Sequence, residues 1–146
     1  MNIRKATPHD AEIIQALIEQ HVSGGTLLPR TLDFIRLHLD HYLVAELGGT
    51  VVACVHLEEY SPSLAEIRSL AVDAEHRSQG LGPALVAAAE RLAARRGYPT
   101  VFAVSDRDTF FLSLGYERRH IPELDRERSE VSRFKGVFAK DVTSDE

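Results

Sequence analysis

Residues 67–85 read IRSLAVDAEHRSQGLGPAL, a segment in which a strand leads into a loop and two glycines open a helix. Residues 70–72 are apolar and predict the end of the strand, and Gly80 and Gly82 precede a run rich in alanine and leucine. Glycine lets backbone amides approach an anion closely, and a helix N-terminus adds about half a positive charge. The segment therefore predicts a site for a diphosphate.

A Gly-x-Gly pair by itself is weak evidence, because such pairs occur in many turns. The dinucleotide-binding fingerprint of Rossmann folds needs a third glycine three residues after Gly82, where this chain has Leu85. The elements before the loop also favour an antiparallel meander over a first Rossmann strand. A helix entry that simply needs small residues is the alternative that the glycines alone leave open.

Hydrophobic periodicity and turn residues divide the rest of the chain into short elements. The pattern predicts a strand over 2–6, helices over 7–20 and from 31, strands over 42–47, 51–57 and 65–72, a helix over 83–96, a strand over 99–104, a helix over 109–114, and final strands from 116 and over 134–139. This order predicts one α/β (α+β) domain, residues 1–146, with a mixed, mostly antiparallel sheet flanked by helices.

The chain has 146 residues and a formal net charge of -5. The length suits one domain, and the charge argues against nucleic acid as a main partner, since nucleic-acid-binding proteins usually carry a basic face. Its apolar stretches are shorter than the roughly 20 residues of a membrane span, and residues 1–5 lack the apolar region of a signal peptide. We therefore expect a cytoplasmic protein with no membrane partner.

Cys54 is the single cysteine and lies in the apolar run 50–55, so we expect a buried, unreactive thiol and no thiolate metal cluster. His38 and His41 are three residues apart, but no carboxylate–histidine pattern of a metal site surrounds them. We expect no metal, and surface or capping roles for these histidines.

The pattern Arg77-x-x-Gly80-x-Gly82 matches the acetyl-CoA signature of the GNAT superfamily of N-acetyltransferases. The surroundings are similar as well, since residues 70–72 correspond to the strand before the loop. Residues 110–116, FFLSLGY, resemble the family's helix that ends in glycine and an aromatic residue. The resemblance covers nearly the whole chain. It implies a GNAT fold, acetyl-CoA as co-substrate, and transfer of an acetyl group to a primary amine.

The resemblance also implies contacts with acetyl-CoA at particular positions. Main-chain groups of Leu70 and Val72, on either side of Ala71, would pair with the pantetheine arm like an added strand. Ser105 and Phe111 would lie beside the thioester. Main-chain amides along the loop and the first helical turn would hold the pyrophosphate, at Arg77, Ser78, Gln79, Gly80, Leu81 and Gly82.

An amine must be neutral to attack the thioester, and deprotonation at neutral pH costs about 1.4 kcal/mol for a peptide α-amine and about 4.6 for lysine. A general base is therefore useful, and Glu66 stands where some GNAT enzymes place a catalytic glutamate. Glu58 and Glu59 are alternatives, and an exposed strand glutamate without a role is another. Many relatives protonate the thiolate with a tyrosine where this chain has Phe111, so water, Ser105 or another group would serve.

Within the superfamily, the chain most resembles the acetyltransferase domain of N-acetylglutamate synthases. Residues 26–31, TLLPRT, are similar to their Leu-x-Arg-Arg-Ser type segment, residues 65–67 fit their central strand, and Arg133 with residues 140–142 resembles their final strand. Those enzymes bind the substrate carboxylates with two arginines, and a guanidinium can bind a carboxylate bidentately. Arg30 and Arg133 are the positions of this chain that match those two arginines. The resemblance implies an acidic amino acid such as glutamate as acceptor. Another small amine or a protein N-terminus remains open as the acceptor, and so does an acetyl-CoA-binding module without turnover. The resemblance is also compatible with a homodimer, since GNAT proteins are often dimers.

Overall fold

The computed structural model of the protein describes residues 1–127 and 135–143. The elements within them are β1 (Asn2–Lys5), α1 (Ala11–Glu19), α2 (Leu32–Leu37), β2 (Tyr42–Leu47), β3 (Thr50–Ser61), β4 (Leu64–Val72), α3 (Leu81–Arg95), β5 (Thr100–Ser105), α4 (Asp108–Ser113), β6 (Glu117–Arg118), α5 (Pro122–Glu127) and β7 (Gly136–Asp141).

The strands form one sheet in the order β1-β2-β3-β4-β5-β7-β6. Neighbouring strands are antiparallel except β4 and β5, which run parallel. A parallel pair needs a crossover connection, and α3 supplies it. The predicted mixed, mostly antiparallel sheet flanked by helices is confirmed.

Helices cover both faces of this sheet. On one face, α3 packs Leu85 and Leu92 into the same buried cluster as Val101 of β5. On the other face, α1 and α2 enclose a cluster that includes Ile14 and Ile35. Full burial of such aliphatic side chains is worth about 1.5–3 kcal/mol each, so both layers hold the sheet in place.

The chain after Tyr116 differs from the sequence prediction of a strand. Only Glu117–Arg118 pair with β7, and α5 begins shortly afterwards at Pro122. Proline is favoured in the first turn of a helix, and Glu123 there interacts favourably with the helix dipole. These two residues explain why this charge-rich part of the chain turns helical.

The separation of β4 from β5 opens the sheet. Only residues 64–66 of β4 pair with β5, opposite residues 100–102. Beyond them a bulge interrupts the pairing of β4 with β3, and Ser69 has a φ of +52° there. Bulges bend a strand and increase its twist. Among the described residues, the last part of β4, residues 67–72, therefore has no strand neighbour on its β5 side.

Candidate active site

A groove of about 650 Å³ runs along the open edge of β4 and the start of α3, and we call it the β4 groove. Seven of the residues predicted to contact acetyl-CoA line it: Leu70, Val72, Arg77, Ser78, Gly80, Leu81 and Gly82. Of the other four, Ser105 and Phe111 line a cavity beside the groove, and the remaining two lie elsewhere. Ala71 packs into the core beneath α1, and Gln79 is exposed and lines neither this groove nor the cavity beside it.

The loop before α3 has the geometry of an anion-binding nest. Ser78 and Gly80 have positive φ angles of +63° and +79°, and such turns aim successive N–H groups at one point. A left-handed residue other than glycine costs about 1–3 kcal/mol and is typical of functional sites. The first amides of α3, from Leu81, have no partner within the helix, and no acidic side chain lies in its first turn. The loop therefore fits a pyrophosphate, with one donor fewer because Pro83 has no N–H.

Gly82 is needed for space and not for its φ, which is not positive. A Cβ at this position would lie 3.5 Å from the Phe110 ring, across the groove from the helix start. A larger side chain would have to share the space above the first amides of α3 with that ring.

Gly82→Val is expected to weaken acetyl-CoA binding at least about tenfold, equal to about 1.4 kcal/mol, while the protein still folds. Its methyl groups would fill the β4 groove beside Phe110. Calorimetric titration with acetyl-CoA measures the change. Gly24→Val is the matched control, because a Cβ at Gly24 meets no atom within 4 Å and Gly24 does not line the groove. Unchanged affinity in a folded Gly82→Val protein would contradict the assignment.

The open edge of β4 offers main-chain groups to the groove. Asp73 N donates to the Val52 carbonyl of β3 at 2.8 Å. Because main-chain groups alternate along a strand, those of Val72 face away from β3. Leu70 lies in the bulge, where it has no register partner in β3. Nε2 of His21 lies 3.0 Å from the Val72 carbonyl oxygen. A pantetheine arm that pairs with this carbonyl must therefore share it with the His21 ring or displace the ring.

A second cavity, of about 310 Å³, adjoins the β4 groove, and we call it the Glu66 cavity. It shares Thr26, Leu70, Asp106 and Arg107 with the groove, so the two spaces meet where β4 and β5 diverge. Four predicted site residues from distant parts of the chain also line it: Arg30, Glu66, Ser105 and Phe111. An acceptor bound here would lie at the end of the groove.

Glu66 is the last residue of β4 that pairs with β5. It is only 3% exposed although it borders the cavity, so the alternative of an exposed strand glutamate is wrong. The other two candidate bases do not line the cavity and are held by arginines. Arg68 donates to Glu58 at 3.0 Å, and Arg96 donates to Glu59 at 3.1 Å. Of the three glutamates, Glu66 is the one that lines the cavity.

Arg30 reaches the same cavity from the loop between α1 and α2. Gln15 of α1 donates to the Arg30 carbonyl at 3.0 Å, and the guanidinium lies 5.4 Å from the centre of the Phe34 ring. Burial, and then the positive charge of Arg68, lower the pKa of Arg30 from its usual value, but a guanidinium stays protonated at neutral pH. Arg133, its predicted partner, lies outside the described residues.

The sequence does not identify the group that protonates the thiolate, and the structure shows the surroundings of Phe111, Tyr116 and Ser105. Phe111 stands in place of the relatives' tyrosine and packs edge-on against Tyr116. The Tyr116 hydroxyl donates to Glu90 at 2.8 Å, and burial together with Glu90 raises the pKa of Tyr116. Ser105 lines the cavity, and its Oγ accepts from the Arg107 N–H at 2.9 Å, which leaves the hydroxyl proton for donation.

Several residues of the two cavities are not predicted by the sequence. Thr26, Asp106 and Arg107 line both of them. Thr26 begins the segment 26–31 that resembles the synthases, but no motif marks Asp106 or Arg107. Arg68 lines the Glu66 cavity as well, and its spacing from Glu66 in the sequence is a signal that could have indicated this. It stands two residues after Glu66 in a strand, so the two side chains share a face.

The remaining expectations concern residues away from the cavities. Cys54 is fully buried, and burial raises the pKa of its thiol to about 12, as expected for an unreactive cysteine. Nδ1 of His38 lies 2.8 Å from the Phe34 carbonyl near the end of α2, a capping contact. Within the described residues, no group of three or more His, Cys, Asp or Glu could hold a metal ion. No helix in that part of the chain has the length and apolar character to cross a membrane.

The model of the acetyltransferase (GNAT) family matches residues 11–116, from α1 to the end of the α4 region. The chain belongs to the GNAT family. An uncharacterized N-acetyltransferase of Chlorobaculum tepidum is 35% identical over 124 residues, which are 83% of this chain and 80% of that protein. This GNAT protein is therefore an acetyl-CoA-dependent N-acetyltransferase.

Amino-acid acetyltransferases are among the relatives of this GNAT protein. The one from Mannheimia succiniciproducens is 26% identical over 129 residues, 87% of this chain but only 29% of that protein's length. The structure of N-acetylglutamate synthase from Neisseria gonorrhoeae, complexed with coenzyme A and N-acetyl-glutamate, matches with a TM-score of 0.88 and 25% identity over 97% of this chain and 35% of that one. Rv2747 from Mycobacterium tuberculosis, in complex with CoA and NLQ, matches with a TM-score of 0.84 and 23% identity. The match covers 97% of this chain and 99% of that one. The resemblance to the synthase domain is confirmed.

Proposed function

We propose that this GNAT protein acetylates the amine of an acidic amino acid such as glutamate. Glu66 acts as the general base, and Arg30 and Arg133 bind the carboxylates. The amides of residues 77–82 hold the pyrophosphate of acetyl-CoA, and the main chain of Leu70 and Val72 orients the pantetheine arm.

One observation carries this proposal: a buried carboxylate and a guanidinium border the same cavity at the end of the β4 groove. Glu66 and Arg30 both line that cavity. A base that meets the amine and a cation that meets a carboxylate are the two groups that acetylation of an acidic amino acid needs. The likeness to amino-acid acetyltransferases over 87% of this chain supports the same acceptor class.

In the proposed reaction, Glu66 accepts a proton from the amine, directly or through one water molecule. The amine nitrogen bonds to the thioester carbonyl carbon, and the bond from that carbon to sulfur breaks. Acetyl-CoA supplies the activated acetyl group. The nitrogen then loses its excess proton, which Ser105 or water passes on to the thiolate, and Arg30 keeps the acceptor in place through its carboxylate.

A thiol-release assay over a panel of acceptors tests the proposal. Glutamate should be acetylated, glutamine should be a much poorer substrate, and lysine and an uncharged peptide N-terminus should be poorer still. The reason is that the arginines lose a partner when a carboxylate is replaced by an amide. Turnover of an uncharged or cationic amine, with none of glutamate, would reject this acceptor and leave the N-acetyltransferase activity standing.

A further inference from the structure

Arg68 is one of three arginines among the described residues that line the Glu66 cavity, together with Arg30 and Arg107, and the reaction above gives it no role. It follows Glu66 by two residues on β4, so both side chains lie on the same face of the sheet, about 6.5–7 Å apart along the strand. Its side chain is 24% exposed and borders the cavity. The long Arg68 side chain can therefore reach the space beside the Glu66 carboxylate.

One carboxylate holds Arg68 without using all its donors. Nη1 of Arg68 donates to Oε1 of Glu58 at 3.0 Å, and Glu58 lies directly opposite Glu66 in the register of β3 and β4. This is the only hydrogen bond of the Arg68 side chain to the described residues. A guanidinium has several further N–H donors in a planar fork. The ion pair thus orients Arg68 and leaves donors for a ligand.

The charges in the cavity favour an anion. Burial, and then the positive charge of Arg68, lower the pKa of Arg30, whereas Glu58 and Glu66 act in the opposite direction. The two guanidinium groups are therefore close enough to repel each other. Within the described part of the chain, no carboxylate lies within 4.0 Å of the Arg30 guanidinium. Its Nη1 donates to the Pro29 carbonyl at 3.0 Å. A carboxylate that binds between two neighbouring cations in a partly buried space offsets the repulsion between them.

We propose that Arg68 binds the α-carboxylate of the acceptor and so selects α-amino acids over amines without this group. The inference rests on the proposed function. In an α-amino acid, the reacting amine and the α-carboxylate are attached to the same carbon atom. A residue that binds this carboxylate must therefore lie beside the base, and Arg68 has this position relative to Glu66. Arg30 enters from a different wall, and Arg30 and the predicted Arg133 are left for the second carboxylate.

The test compares glutamate with two analogues that each lack one carboxylate. 4-Aminobutyrate lacks the α-carboxylate, and glutamine lacks the side-chain carboxylate. In Arg68→Gln, the preference in kcat/KM for glutamate over 4-aminobutyrate should fall about tenfold or more, and the preference for glutamate over glutamine should keep its parental value. Differences in amine reactivity cancel, because each ratio is compared between variant and parent. Arg68→Lys keeps the charge and should give an intermediate ratio.

Glu58→Gln is the matched control, because it removes the ion pair and leaves the arginine. If Arg68 only balances the charges of Glu58 and Glu66, neither Arg68→Gln nor Glu58→Gln changes the preference for glutamate over 4-aminobutyrate. That result overturns the inference. Titration with acetyl-CoA identifies folded variants, and if Arg68→Gln does not fold, an unchanged ratio in Arg68→Lys overturns the inference instead. If the parent acetylates neither glutamate nor glutamine, the proposed acceptor is wrong and the inference falls with it. If the parent acetylates glutamate and Arg68→Gln keeps the parental ratio, the inference alone fails.

Discussion

Glu66→Gln is expected to lower kcat by about 10²–10⁴ at neutral pH, with the affinity for acetyl-CoA unchanged. The amide has nearly the size of the carboxylate, so the buried position keeps its packing, but the amide cannot accept the proton of the amine. Steady-state thiol release with glutamate measures kcat, and calorimetric titration measures the affinity for acetyl-CoA.

The pH dependence separates the loss of a base from a loss of packing. Without a base only the neutral amine reacts, and its fraction rises about tenfold per pH unit below the amine pKa. The variant should therefore recover activity with rising pH, whereas a distorted site would not. Glu59→Gln is the matched control, because Glu59 pairs with Arg96 and does not line the Glu66 cavity. If Glu66→Gln retains most of the parental rate near neutral pH, the base lies elsewhere or is not needed.

The phosphate loop could be predicted from the sequence because its conformation is local. The strand end, the turn and the helix start lie in one continuous segment, and the positive φ of Gly80, +79°, is what glycine permits without strain. The hairpin between β2 and β3 is similar, since Gly48 and Gly49 have φ angles of +57° and +82°, as a tight turn requires. Neighbours along the chain determine such features, so residue type alone indicates them.

The Glu66 cavity depends on long-range geometry that local patterns do not contain. Its walls come from the loop between α1 and α2, from β4, and from the turn after β5, so Thr26, Arg68 and Arg107 meet only because β4 separates from β5. The bulge that accompanies the separation places Ser69 at a φ of +52°, which serine rarely adopts. Periodicity predicts that Glu66 lies on a strand, but its burial is set by the elements packed around that strand.

Removal of either arginine of the predicted clamp should reduce kcat/KM for glutamate by about 30-fold or more, since truncating one partner of a buried charge pair typically costs about 2–5 kcal/mol. The variants are Arg30→Ala and Arg133→Ala. Acetyl-CoA affinity should hardly change, because Arg30 lines the Glu66 cavity but not the β4 groove, and Arg133 matches a substrate position of the synthases. Thiol release with glutamate and glutamine, together with calorimetric titration, measures these effects.

Arg36→Ala is the matched control for this pair, because Arg36 is exposed on α2 and lines neither cavity. An arginine that binds the side-chain carboxylate distinguishes glutamate from glutamine, so its loss should bring the two substrates closer in kcat/KM. Turnover of glutamate at the parental rate by Arg133→Ala would exclude the clamp in its predicted form. An equal fall for glutamate and glutamine in both variants would mean that neither arginine binds the side-chain carboxylate, since only a contact with that group separates the two substrates.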